Sequence, residues 1–167
     1  MAVTTSSTSA GTYVPIQTFT ADGATTTYTF TSIPQTYSDL VLVTNGVLTN
    51  NDINMVFNSD SGSNYSRTYI YATSSSSYGG AAIANATSGF AGTLATGYTT
   101  NIVNILNYSG TSKQKSWLTR QSAAGTAVIH SIGLWRSTSA ITSIALTANG
   151  TTFGSGTTMT LYGIKAA

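Results

Sequence analysis

The sequence predicts an all-β sandwich built as a single domain, and three observations carry that expectation. Short segments rich in Val, Ile, Thr, Tyr and Phe recur along the chain between clusters of Gly, Asn, Asp and Ser, which is the spacing of sandwich or barrel strands. Within several of them apolar and polar residues alternate with the two-residue period of a half-buried strand. Long helical patterns are hard to place anywhere.

Taken in order, the first dozen residues, "MAVTTSSTSAGT", are small, polar and aperiodic, so residues 1–13 read as a flexible N-terminal arm and 14–167 as the sandwich domain. Strands are expected near 14–20 and 26–33, the second with Tyr28 and Phe30 on one face and Thr on the other. Pro34 fixes a turn that "QTYSD" completes. The strand expected at 39–47 is apolar on both parities from Leu40 to Val43, so something covers it twice: the core on one side, and on the other the core again or a neighbouring subunit. Next come 53–58, with Ile53, Met55 and Phe57 facing inward, and 66–72, where "NYSRTYIYA" sets Tyr69 and Tyr71 opposite Ile70. With Ile70 in the core, the two tyrosines and Arg67 project outward.

Residues 73–98 lack periodicity and read as a long loop over one end or edge of the sandwich. Strands resume at 99–108, 115–121 and 127–136, the last with Val128, Ile132 and Leu134 lining an inner face. His130 shares their parity and reads as a core-facing or interfacial histidine. In "AITSIAL" a helical spacing competes with β-branched content, which favours a strand at 140–147 and leaves room for a short helical turn near 138–143. A final strand at 157–164 faces Met159 and Leu161 inward.

Composition narrows the function classes. At 167 residues the chain is long enough to bury roughly 70% of the surface it exposes when unfolded, so it needs no covalent staple, and with no cysteine it has none. Charged residues are 6% of the chain, against about 25% in an ordinary soluble domain, and Ser with Thr supply roughly a third of it. The net charge of +2 rests on scattered Lys and Arg residues, not on the cluster a phosphate backbone requires, so nucleic acid is not an expected partner. No basic and apolar leader opens the chain and no apolar run approaches the ~18 residues of a membrane span, so neither export nor a membrane partner is expected.

Proton-transfer chemistry has little to draw on: one His, no Cys, no Glu, and four aspartates, Asp22, Asp39, Asp52 and Asp60, all beside expected turns. Their expected role is turn capping, and the chain reads as a non-enzyme. In "NSDSGSN", Asn58, Asp60, Gly62 and Asn64 alternate as calcium ligands do, but the distal bidentate Glu is missing, so a tight loop is the better reading and neither metal nor cofactor is expected. The aromatic residues are more suggestive. With ten Tyr, two Trp and five Phe, the chain has large side chains suited to an interface, and Tyr65, Arg67, Tyr69, Tyr71, Trp117 and Arg120 are the candidate interface residues.

The segments "FTSIPQTYSDLVLV", "NYSRTYIYA" and "IGLWRSTSAITSIALTANGTTFGSGTTMTLYGI", taken in that order, resemble a group of small tailed-bacteriophage virion structural proteins, over a span from about Tyr28 to Ile164. The resemblance implies a jelly-roll-like antiparallel β-sandwich of about 8–10 strands, a homotrimer and no catalytic residue. Two roles follow from it: a capsid decoration or cement protein bridging subunits of the major capsid protein, or a tail or head fibre domain binding host-surface glycans. The short approach from Met1 into the sandwich, without heptads for a trimeric stalk, favours decoration. The expected location is therefore the virion, assembled in the host cytoplasm.

Overall fold

The computed structural model describes residues 12–47, 51–73, 77–123 and 127–165. Among them twelve strands form two antiparallel sheets. In chain order they are β1 (Tyr13–Thr20), β2 (Thr27–Phe30), β3 (Asp39–Gly46), β4 (Asn51–Phe57), β5 (Tyr65–Thr73) and β6 (Ser77–Ala86). Then come β7 (Gly89–Leu94), β8 (Thr99–Leu106), β9 (Lys115–Ala123), β10 (Ala127–Trp135), β11 (Ile144–Ala148) and β12 (Thr158–Ile164). The large sheet runs β1-β12-β3-β8-β9-β10-β5-β6 and the small one β2-β11-β4-β7.

Without β5, β6, β9 and β10, what is left is two four-stranded sheets, β1-β12-β3-β8 over β2-β11-β4-β7, in the interleaved order of a jelly roll. The other four strands are two sequence-adjacent antiparallel pairs that extend the large sheet past β8. The small sheet ends at β7, so this extension overhangs it.

The expected all-β sandwich is thus present, and each of the ten expected strands has its counterpart, with ends moved by a few residues. The 73–98 segment is where the expectation fails, because it contains β6 and β7. Neither strand carries the large alternating apolar residues that mark one in sequence. β6 is exposed along nearly its whole length, and β7 must stay small because the Trp117 indole lies against Gly89, where an added Cβ would come within 2.7 Å of the ring. Residues 138–143 form no helix. Of the expected arm, residues 1–11 lie outside the described residues, and Tyr13 already belongs to β1.

The jelly-roll core is filled from both inner faces by Phe30, Leu42, Ile53, Met55, Leu146 and Leu161, all fully buried. On β3, Leu40 and Leu42 point inward, while Val41, on the outer face, is still only 4% exposed. The join after β2 is pinned from three sides: Ile33 N–H donates to Thr142 O at 3.1 Å, Gln35 Nε2 donates to Ile33 O and Ile141 O, and the Tyr108 hydroxyl donates to Pro34 O.

The extension is welded to the sandwich by four aromatic rings. Phe57 of the small sheet meets Trp117 of β9 edge-on at 5.5 Å and Trp135 of β10 at 5.5 Å, and Tyr65 of β5 stacks on Trp135 at 6.3 Å. Trp117 fits because Gly133 faces it, where a Cβ would stand 2.1 Å from the ring, and its Nε1–H donates to Phe90 O at 3.2 Å. The Tyr65 hydroxyl accepts from Phe57 N–H at 2.9 Å. Burial pushes the Tyr65 phenol up to about 12, although that Phe57 hydrogen bond pulls the other way. In the unfolded chain the phenol ionises near 10.0, so the folded state holds its proton more tightly and stability falls as pH rises between those two values. Alkaline denaturation followed by far-ultraviolet circular dichroism should show that loss, and Tyr65→Phe should flatten it.

Lys115, the first residue of β9, is fully buried without a carboxylate partner among the described residues. Its ammonium donates to three carbonyls, Gly110 O, Lys113 O at 2.8 Å and Thr138 O at 3.2 Å, and so ties two loops to the base of the extension, while burial lowers its pKa. Replacing it by Met leaves those carbonyls without a donor; urea denaturation of Lys115→Met should register a loss of about 2–4 kcal/mol.

Candidate functional site

The extension is where the structure departs furthest from a closed sandwich, and its outer face is apolar. β10 explains how. Val128, His130, Ile132 and Leu134 do share one parity, but it is the outer one; Ser131, Gly133 and Trp135 point inward. The expectation that Val128, Ile132 and Leu134 line the core is therefore corrected. The inner side at Gly133 is filled by the Trp117 indole, which leaves no room for large β10 side chains there.

β5 is inverted in the same sense. Ile70 is 64% exposed on the outer face, and Arg67, Tyr69 and Tyr71 lie on the inner side, half-buried. Arg67 stacks over the Phe90 ring at 4.2 Å and the Tyr69 ring at 5.0 Å, and pairs with Asp52 at 3.7 Å. Tyr69 and Tyr71 stand 6.2 Å apart. Arg67, Tyr69 and Tyr71 thus line the underside of the overhang instead of projecting outward. Tyr65 and Trp117 are fully buried and leave the candidate interface altogether; they hold the extension in place. Among the six residues singled out from sequence, Arg120 alone points outward from the large sheet and is exposed.

The strand register assembles the outer face in rows. One row runs Asn104, Leu118, Ile132, Thr68 across β8, β9, β10 and β5, and the next runs Ile102, Arg120, His130, Ile70. Ile132 is 54%, Val128 42%, Leu118 40% and Leu106 39% exposed. Two shallow grooves cross this surface, of about 540 and 410 Å³, meeting at Ile132. The larger groove carries the polar side chains of Arg120, His130, Asn104 and Thr68 among its aliphatic ones, and the smaller is lined also by Ser66, Arg67 and Ser116. Of the outward positions on the four extension strands, only Arg120 carries a formal charge; its Nη2 donates to Asn104 Oδ1 at 2.9 Å, which holds the guanidinium down along the sheet.

The four aspartates have structural partners. Asp22 accepts from the N–H groups of Ala24 and Thr25 and from the Thr25 hydroxyl, as a turn-capping aspartate should. Asp39 accepts from Asn107 N–H at 2.6 Å, and Asp52 from the Thr93 hydroxyl at 2.8 Å. Asp60 closes the loop once compared with a calcium site by accepting from Gly62 N–H, Asn64 Nδ2 and Trp135 Nε1, and the Trp135 hydrogen bond is the main reason its carboxyl ionises below the ordinary range. Among the described residues no group of three or more His, Cys, Asp or Glu side chains gathers to hold a metal, and no helix is long and apolar enough to cross a membrane.

Comparison with known proteins gives the chain no relative. No family model, curated protein or solved structure matches it. The site therefore has to be read from its own geometry.

That geometry offers a broad, gently grooved surface of aliphatic side chains with one pinned arginine and one histidine. Such a surface is suited to burying area against another folded protein. Sequence reasoning missed Ile70, Leu118 and Ile132 because it assigned each strand's apolar parity to one core. The available signal was that "AVIHSIGLW", like Leu40–Val43, carries apolar residues on both parities.

Proposed function

We propose that the chain is a structural protein of a tailed-bacteriophage virion, a decoration protein that sits as a homotrimer on the head and bridges neighbouring copies of the major capsid protein. The observation that carries the proposal is the apolar outer face of the sheet extension: four strands added to a jelly roll supply a surface on which Ile70, Val128, Leu118 and Ile132 stay exposed in the single chain. A monomer in solution has little use for such a patch, whereas a component of a shell buries it against its neighbours. The near-absence of charge on that face fits, because aliphatic and hydroxyl groups are cheaper to desolvate than ions.

The test is a count. Quantitative mass spectrometry of purified particles of the phage that encodes the chain, with antibody labelling in electron micrographs, should find tens to hundreds of copies spread over the head. A small multiple of the tail symmetry, with label at the tail and glycan binding by the isolated protein, would instead establish the fibre role and remove this one.

A further inference from the structure

The two sheets have four edges, and three are protected. β1 carries Pro15 and a register break between Pro15 and Gln17, β2 is four residues long, and β7 is almost wholly buried and bulged against β4 between Ile53 and Asn54. The fourth edge, β6, has a register break only beyond Ile83, where its pairing shifts between Arg67 and Tyr65, and none of these devices before it. It is ten residues long, holds neither Pro nor a charged residue, is exposed on both faces, and pairs only with β5 among the described residues. From Ser77 to Ile83 it pairs with β5 without a break. Its side chains are mostly Gly and Ala, so little shields the backbone N–H and C=O groups along its free side.

We propose that β6 is a strand-addition edge and that its occupant is β6 of a second copy, paired antiparallel about a two-fold axis perpendicular to the sheet. The argument for a second copy is self-complementarity. β6 has two large side chains, Tyr78 and Ile83, in a run of otherwise small residues. With the axis at Gly80 the regular segment 77–83 pairs with itself, Tyr78 falling opposite Ala82 of the partner and Ile83 opposite Ser77. This register sets large against small, with both members of each pair on the same face. No like charges meet, because the strand has none. The pairing fuses two large sheets edge to edge and makes the two apolar outer faces continuous.

The contact is independent of the virion reading and is tested on the purified full chain. Since the chain has no cysteine, a single introduced thiol reports one neighbour. Ala81→Cys and Ala82→Cys should each give covalent dimers with a short homobifunctional maleimide, whereas Ser122→Cys, on the outer face away from the edge, should not. Sedimentation velocity should find particles of even copy number, two, or six if the trimer also forms, and the double variant Ala82→Lys with Ala84→Lys should halve that number while its melting curve stays in place. Particles of one or three chains only, an unchanged mass in the double lysine variant, or no cross-linking at either alanine position would each overturn the proposal. Capture of a foreign strand at β6 with no self-association would overturn it as well.

Discussion

Trp117→Ala is expected to cost about 3–5 kcal/mol of unfolding free energy and to lower the melting midpoint by on the order of 10 °C. The indole is fully buried between Gly89 and Gly133, meets Phe57 edge-on, and donates to Phe90 O. Removing it empties a slot that neighbouring backbone cannot readily collapse into, since the Gly133 wall, β10, is held by ladders on both sides and the Gly89 wall, β7, by its ladder to β4. Chemical denaturation with far-ultraviolet detection measures the loss. A cost below about 1 kcal/mol would mean that the extension is not anchored there. Gly133→Ala approaches the same contact from the other side, by overpacking, and should move stability in the same direction by a smaller amount.

The second large effect is on assembly. Leu118→Asp and Ile132→Asp together should leave the fold intact, because both side chains point to solvent in the single chain, yet under the proposed decoration role they should abolish incorporation into the virion. Two carboxylates on the groove floor would have to be stripped of water at the interface, and a buried, unpaired charge there costs several kcal/mol. The measurement is the copy number on particles produced by a phage carrying the double variant, beside the melting curve of the purified protein. An unchanged melt with empty heads supports the outer face as the contact. An unchanged melt with normal occupancy would move the contact elsewhere. Arg120→Ala, which removes one exposed charge already hydrogen-bonded to Asn104, should be milder on both counts.

The jelly-roll half of the molecule was legible in the sequence because its strands obey one rule: the apolar parity faces the core. Ile53, Met55 and Phe57, and likewise Met159 and Leu161, lie on the expected inner faces. The extension breaks that rule. On β9 and β10 the inner parity is given to Trp117, Thr119, Gln121, Ser131 and Gly133, so polar and small residues line the side facing β7 while aliphatic ones look outward. Gln121 earns its place by accepting from Thr93 N–H at 2.8 Å, and the Thr119 hydroxyl by donating to Phe90 O at 2.9 Å; both bonds close the gap between β7 and the extension. A parity argument applied strand by strand cannot foresee that arrangement, because it depends on which strand lies across the sandwich. The aromatic-rich "NYSRTYIYA" misled for the same reason: large amphipathic rings suit an interface, and here the interface is internal, between the overhang and β7. β6 and β7 left almost no signal, one because none of the described residues covers its faces and the other because an indole lies against it.

The order of the strands also sets when the molecule can fold. β12 lies between β1 and β3, and β11 between β2 and β4, so the last two of the twelve strands in chain order are interior members of the two sheets. A nascent chain that has not yet produced Thr158–Ile164 can pair β5 with β6 and β9 with β10, but it cannot join its first strand to anything in the large sheet. The hairpins of the extension, with their exposed aliphatic face, can therefore form before the jelly roll that supports them is closed. Closure must wait for contacts between the two ends of the sequence, which places the protein among slow, non-local folders on a scale of about milliseconds to seconds. During that interval β6 and the outer face are both available, and association through them before closure would be a route to misassembly.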